Sequence, residues 1–97
     1  MFVIGIIRYR RALEEVQVHQ AAHRAYIEGL HGAGTVVVAG PLEPRYGGAV
    51  IFSVPDEGWQ VAVDAITAAD PYVAGGVAQY EVLGWKPIFG EATLLRA

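Results

Sequence analysis

Two short stretches decide the fold: residues 35–39 have the sequence TVVVA, and residues 49–54 have the sequence AVIFSV. Both are apolar at consecutive positions, whereas a strand with one face in water alternates apolar and polar residues. β-Branched and aromatic residues favour strands, so both stretches are predicted to be strands buried on both faces. Helices can cover only one face of their sheet. The sequence therefore predicts a homodimer, in which a second copy covers the open sheet face.

The segments on either side of these strands complete a β-α-β-β-α-β order. Residues 2–8 are predicted to be the first strand and residues 77–85 the fourth. Helices are predicted over residues 11–33 and 55–69. This is the order of the ferredoxin-like α+β fold, an antiparallel sheet with both helices on one face. We expect a single domain over residues 1–97, because domains typically have about 100–150 residues.

One face of the first predicted helix carries two histidines beside apolar residues. The residues on this face are His19, His23, Tyr26, Ile27 and Leu30. Separations of three and four residues align side chains along a helix, so this face is expected to turn toward the sheet. The residues of the second helix expected to face the sheet are Val61, Ala62, Ala65 and Ile66.

The composition excludes several classes of protein. The absence of cysteine excludes disulfides, cysteine-ligated metals and a cysteine nucleophile. Ser53 is the only serine, and its place in an apolar run is unfavourable for a nucleophile. A net charge of −3 is unfavourable for nucleic-acid binding, and no apolar run approaches the about 20 residues that span a bilayer. With no signal-peptide pattern at residue 1, we expect a cytoplasmic protein that binds neither nucleic acid nor membrane.

His23 and Asp70 are the principal candidates for chemistry. Asp70 precedes Pro71, and an aspartate followed by proline is a common helix start. A capping aspartate keeps one carboxylate oxygen free for a histidine, so capping and catalysis are compatible. Local sequence leaves a plainer interpretation open for both residues: Asp70 only caps its helix, and His23 is a hydrogen-bonded residue at the edge of the core.

Other candidates for a functional site are two loop segments and His19. Arg45 precedes a Gly-Gly pair in a loop and suits a substrate carboxylate, although an ordinary solvated hairpin explains it as well. Gly40-Pro41 ends a strand and either exposes a backbone N–H or only turns the chain. His19 and His23 have the spacing of two metal ligands on one helix, but no third ligand is evident and we expect no metal.

Together these motifs resemble the YciI-like family of proteins with a YCII-related domain, over nearly the whole chain. The matching features, in order, are His23, Gly40 seventeen residues later in VAGPL, Gly47-Gly48 before a strand, ADPYVAGGV at residues 69–77, Glu81, and Trp85-Lys86-Pro87. The sequence departs from the family in two places. Ala69 stands where many relatives have a second acidic residue, and residues 8–11 are unusually basic.

The resemblance implies a small ferredoxin-like protein in a dimeric α/β-barrel-like assembly. It also implies a histidine–aspartate pair in a pocket, which by motif falls on His23 and Asp70. One branch of the family looks like a dehydrochlorinase acting on a chlorinated hydroxyhydroquinone, and the fold is similar to that of muconolactone isomerase. These relatives suggest, but do not specify, a reaction for this chain.

Residues and resemblance together predict a small acid–base enzyme, lyase- or isomerase-like and dehydrochlorinase-related, that works without a cofactor. Asp70 would hold one ring nitrogen of His23 while the other moves a proton on a small cyclic substrate. The predicted substrate-binding residues are Arg45, Tyr26, Tyr72, Gly40 and Pro41. Two alternatives stay open: a non-enzymatic small-molecule-binding or sensing module that uses the same pocket, and a cofactor-free or haem-using oxygenase.

Overall fold

The computed structural model describes residues 1–96, with four strands and five helices among them; residue 97, the last of the expected domain, lies outside the described part. The elements in chain order are β1 (Phe2–Tyr9), α1 (Leu13–Gln17), α2 (Gln20–Gly32), β2 (Val36–Pro41), β3 (Gly47–Ser53), α3 (Trp59–Ala68), α4 (Pro71–Ala74), β4 (Ala78–Trp85) and α5 (Glu91–Arg96). The strands form one antiparallel sheet in the order β2-β3-β1-β4. The predicted α+β fold of the ferredoxin-like type is confirmed.

The hydrophobic core lies on one face of this sheet, beneath the helices. β1 is a central strand, on which Val3 pairs with Phe52 of β3 and Gly5 with Val82 of β4. A Cβ at Gly5 would lie 2.9 Å from the Phe52 ring, so the centre of the sheet needs a glycine to seat that ring. The core includes Val3, Ile7, Val16, Val50, Phe52 and Val63, all of them buried.

The opposite face of the sheet is apolar and partly exposed in a single chain. Alternate residues of a strand point to opposite faces, so the residues that alternate with the core residues along each strand lie on this side. Its apolar side chains are Phe2, Ile4, Ile6, Val38, Ile51, Leu83 and Trp85. Val38 is 54% exposed and Leu83 49%. Within one chain, β2 and β3 are therefore buried on one face only, not on both as the sequence predicts. The second copy that would cover the open face remains a prediction.

The first helical segment differs from the predicted helix over residues 11–33. It is divided into α1 and α2 at Val18 and His19, where the His19 N–H bonds to the Val16 carbonyl at 3.0 Å. This bond spans three residues rather than four, so it tightens the backbone and ends α1. On α2 the predicted inward face is confirmed, because His23, Tyr26, Ile27 and Leu30 are all less exposed than their neighbours.

The predicted inward face of the second helix was partly wrong. In α3 the buried residues are Val63 and Thr67, whereas Val61 is 75% exposed. The helix begins only at Trp59, whose indole packs so closely over Gly84 that a Cβ there would lie 2.9 Å from the ring. This contact sets the rotation of α3 and turns residues four and eight positions after the tryptophan inward.

Candidate active site

Asp70 is a fully buried carboxylate at the junction between α3 and α4. It is the N-cap of α4, and its Oδ1 accepts a hydrogen bond of 2.9 Å from the backbone N–H of Tyr72. Pro71 occupies the first helical position, as predicted from the sequence. Burying a carboxylate is costly unless hydrogen bonds replace its water, so the other atoms around Asp70 determine what the site can do.

Tyr80 supplies a second hydrogen bond to the Asp70 carboxylate. Its hydroxyl donates to Oδ2 at 2.6 Å from the neighbouring strand β4. Burial, and then the hydrogen bond and charge of Asp70, raise the pKa of Tyr80 far above that of an ordinary tyrosine. Tyr80 therefore keeps its proton and acts as a permanent donor, so Asp70 accepts hydrogen bonds at both oxygens.

His23 reaches the same carboxylate from α2. Its Nδ1 lies 2.8 Å from Oδ1 and 3.0 Å from Oδ2 of Asp70. An ionised carboxylate only accepts hydrogen bonds, so we assign the ring proton to Nδ1 and a free lone pair to Nε2. Among residues 1–96, Nε2 has no hydrogen-bond partner. This tautomer is the one that a general base at Nε2 requires.

Tyr72 restrains the His23 ring from one side. The two rings are stacked, with centroids 3.9 Å apart and planes 9° from parallel. Tyr9 packs edge-on against Tyr72 at a centroid distance of 5.9 Å. Burial and the neighbouring Tyr9 raise the pKa of Tyr72 above its ordinary value. Stacking and the Asp70 hydrogen bond together leave the Nε2 edge of His23 available for chemistry.

A cavity of about 270 Å³ lies in front of His23, between α2, the sheet and the β2–β3 loop. Five residues predicted from the sequence line it: His23, Tyr72, Arg45, Gly40 and Pro41. Asp70, which is 0% exposed, lies behind His23 rather than in the cavity. The structure thus brings together six of the seven predicted site residues.

Tyr26 is the predicted site residue that the structure places elsewhere. Its hydroxyl donates to the backbone carbonyl of Ile66 on α3 at 2.7 Å, and it does not line the cavity. Burial raises the pKa of Tyr26 above its ordinary value. Tyr26 follows His23 by three residues, which turns it about 60° away around the helix, toward α3 rather than the cavity. Its observed role is to tie α2 to α3.

Arg45 is held over the cavity by a loop anchored on β1. The Tyr9 N–H bonds to the Tyr46 carbonyl at 2.9 Å, and the Arg45 Nε lies 3.5 Å from the Tyr9 hydroxyl oxygen. The hydrogen bond with Tyr9 raises the pKa of Arg45 further above its ordinary value. Gly47 follows closely, and a Cβ there would collide with the carbonyl oxygen of Ile7. Only glycine lets the loop close this tightly on β1.

Sequence reasoning missed Tyr80 and the cavity residues Tyr9 and Arg24. The alternation along β4 could have located Tyr80, because it shares a face with the buried Ala78 and lies opposite Ile7 on β1. No local signal pointed to Tyr9 or Arg24, which reach the cavity through the tertiary arrangement of β1 and α2.

His19, the other histidine of the predicted i, i+4 pair, lies apart from the Asp70 contact. Its ring packs over Gly75 at the end of α4, where a Cβ would lie 2.6 Å from the imidazole. In the part of the chain that the structure describes, no group of three or more metal-ligating side chains is close enough to hold a metal ion. Residues 1–96 also include no helix long and apolar enough to cross a membrane.

Comparison with known proteins places this geometry in context. The family model described as the YCII-related domain matches residues 1–86. A search of curated protein sequences gave no significant match. One similar solved structure is the 5-chloro-2-hydroxyhydroquinone dehydrochlorinase of Burkholderia phenoliruptrix AC1100, in complex with 2,5-dihydroxybenzoquinone. It is 25% identical, the alignment covers 89% of this chain and 94% of that one, and the TM-score is 0.70.

Proposed function

This chain belongs to the family of proteins with a YCII-related domain, and we propose that it is a small acid–base enzyme, lyase- or isomerase-like, that acts on a small cyclic substrate. The observation that carries the proposal is the 2.8 Å contact between His23 Nδ1 and the buried carboxylate of Asp70. The opposite edge of the same imidazole lies at a cavity. A buried carboxylate, an oriented histidine and an adjacent cavity are what proton transfer to or from a bound molecule needs.

In the proposed mechanism, Asp70 is the positioning residue and His23 the catalytic residue. Asp70 holds the proton on Nδ1, so that Nε2 accepts a proton from a substrate carbon or hydroxyl. The imidazolium that forms is stabilised by the adjacent carboxylate and then returns the proton, to another substrate atom in an isomerisation. Positioned acid–base groups of this kind typically contribute about 10²–10⁴-fold in rate.

The similar solved structure favours an elimination over other proton transfers. That protein is named as a dehydrochlorinase of a chlorinated hydroxyhydroquinone. Loss of hydrogen chloride removes one proton and one chloride from a ring, and a histidine base supplies the first of these steps. For this chain, His23 Nε2 would accept the proton while chloride leaves with the bonding electron pair, and no oxidant or reductant is needed.

The test compares turnover by the wild type, His23→Gln and His31→Gln. His31 is exposed at the end of α2 and does not line the cavity, so it controls for the loss of a histidine. With chlorinated hydroxyhydroquinones as substrates, chloride release and the absorbance of the quinone product are followed. We expect His23→Gln to lose about 10²–10⁴-fold and His31→Gln to stay within about twofold of the wild type. Equal turnover by His23→Gln and the wild type would remove His23 from the mechanism, and a ligand that binds but is recovered unchanged would favour a binding module.

We also propose that two copies of the chain pair through the open sheet face. The exposed apolar side chains of that face, among them Val38 and Leu83, support this pairing because large apolar patches on a protein surface usually mark an interface. Light scattering should give twice the 10.4 kDa chain mass. Leu83→Glu should shift the protein to the monomer, whereas Val61→Glu, on the exposed side of α3, should not. A wild type that is monomeric at micromolar concentration would contradict the proposal.

A further inference from the structure

We propose that the cavity in front of His23 selects small ring compounds that carry an anionic oxygen group, a carboxylate or an ionised ring hydroxyl. This inference rests on the proposed function, since it names the class of substrate that the same site would take. It is carried by the charges that line the cavity, by the anchoring of the loop that holds Arg45, and by the size of the cavity. These observations are independent of the His23–Asp70 contact.

The cavity is lined by cations without counter-charges. Arg45 and Arg24 both line it, and within residues 1–96 no aspartate or glutamate does. The chain as a whole has ten acidic and seven basic residues, so the local excess of positive charge is opposite to its composition. In the described part of the chain, neither arginine forms an ion pair, unlike Arg8, which pairs with Glu81 at 2.9 Å. An anionic ligand would supply the missing charge.

Arg45 is the better placed of the two arginines to bind that anion. It is half-buried, and its loop is anchored by the backbone hydrogen bond from Tyr9 to Tyr46. Its Nε lies 3.5 Å from the Tyr9 hydroxyl oxygen, and in the described part of the chain no carboxylate pairs with the guanidinium. A guanidinium binds a planar pair of oxygens with two parallel hydrogen bonds. Arg24 is exposed on α2 and adds charge at the rim.

The rest of the cavity fits a single ring. Its volume of about 270 Å³ is just below the range of about 300–1,000 Å³ that is usual for drug-sized ligands. Aliphatic side chains line much of the cavity, among them Ile7, Ile27 and Val50. Tyr72 covers one face of the His23 imidazole, so a ligand meets the ring at its edge rather than by stacking on that face.

The two ends of the ligand would be bound by different parts of the fold. Arg45 comes from the β2–β3 loop and would hold the anionic group, whereas His23 comes from α2 and would meet the reacting atom. Losing Arg45 should therefore weaken binding without altering the acid–base group. This separation makes the inference testable apart from catalysis.

The experiment is a calorimetric titration at neutral pH with four probes. Benzoate is a ring carboxylate, 2,5-dihydroxybenzoquinone is a ring whose acidic hydroxyls are ionised, benzamide is the neutral counterpart of benzoate, and acetate is a carboxylate without a ring. Each is titrated into the wild type, Arg45→Gln and Arg11→Gln. Arg11 is exposed and does not line the cavity, so its variant removes the same charge elsewhere.

We expect both ring anions to bind the wild type more tightly than benzamide or acetate. Arg45→Gln should weaken benzoate about 10- to 100-fold, as for the loss of hydrogen bonds to a charged group, while Arg11→Gln should change it less than about twofold. Benzamide should bind Arg45→Gln and the wild type alike.

Three results would overturn the inference: benzamide binding the wild type as tightly as benzoate, an unchanged benzoate affinity in Arg45→Gln, or no detectable binding of either ring anion. None of them concerns proton transfer, which the turnover of His23→Gln tests separately. Conversely, full turnover by His23→Gln beside a weakened benzoate affinity in Arg45→Gln would reject the proposed function and keep the anion site.

Discussion

Tyr80→Phe removes one hydroxyl group from the centre of the candidate site and leaves the ring in place. In the wild type that hydroxyl donates to Asp70 Oδ2 at 2.6 Å, and the carboxylate is 0% exposed. Without it, Oδ2 keeps only the 3.0 Å contact with His23 Nδ1. A hydrogen bond to a charged group contributes about 1.5–3 kcal/mol, so the free energy of unfolding at pH 7 should fall by about that amount. In a chain of this size, each kcal/mol lowers the melting temperature by about 4–8 °C.

The pH dependence provides a second, independent reading of the same contact. Because the pKa of Tyr80 is raised in the folded state, the unfolded chain loses the Tyr80 proton first, near pH 10, and the folded chain keeps it. Folded molecules then bind more protons than unfolded ones, so stability is full below pH 10 and falls above it, by about 1.4 kcal/mol per pH unit for this group. Phenylalanine has no such proton. The difference in stability between wild type and Tyr80→Phe should therefore shrink above pH 10.

The assay is urea unfolding followed by circular dichroism from pH 7 to 11, at one protein concentration because association would change the apparent stability. Tyr46→Phe is the matched control, since Tyr46 is 69% exposed and its hydroxyl has no hydrogen bond in the described part of the chain. It should alter the free energy of unfolding by less than about 0.5 kcal/mol. The reasoning is refuted if Tyr80→Phe is as stable as the control at pH 7, or if its deficit stays constant above pH 10.

The remaining predictions concern Asp70 and two glycines. Asp70→Asn should keep the cap of α4, since asparagine caps helices about as well as aspartate. Its turnover should fall about 10²–10⁴-fold, because an amide no longer fixes the proton on His23 Nδ1. Chloride release measures the loss of turnover, and a melting curve measures whether the helix cap is kept. Gly47→Ala should lower the free energy of unfolding by at least about 1–3 kcal/mol, because its Cβ would meet the Ile7 carbonyl oxygen. Gly29→Ala has open space around the added Cβ on α2, so urea unfolding should show that the free energy of unfolding rises by about 0.5–1 kcal/mol. A lower free energy of unfolding in Gly29→Ala, or an unchanged one in Gly47→Ala, would contradict these packing arguments.

The order of strands and helices was predictable because it depends on local patterns. The apolar runs at residues 35–39 and 49–54 overlap β2 and β3, and each extends one residue beyond its strand, since β-branched residues pack well in a pleated sheet wherever it forms. The inward face of α2 was likewise predictable from three- and four-residue spacing. The rotation of α3 was not, because it is set by the contact between Trp59 and Gly84, two residues on elements that are far apart in the chain.

In the candidate site too, some features were predictable from the sequence and others depended on tertiary contacts. His23 and Asp70 are 47 positions apart, and the family resemblance, rather than spacing, predicts that they pair. Among the tyrosines, the sequence pointed to Tyr26 and Tyr72 and passed over Tyr80. Chemically these residues are the same, and only their surroundings distinguish them.

The sequence by itself determined the order of the four strands and the two main helical segments, and which residue types are available for acid–base chemistry. Only the tertiary structure decided which residue each tyrosine contacts: Tyr80 donates to Asp70, Tyr72 stacks on His23, and Tyr26 bonds to Ile66. The physical reason is that periodicity sets the face on which a side chain lies, within one element. The atom it finally meets depends on how that element is rotated and placed against others, which is set by packing between residues distant in sequence.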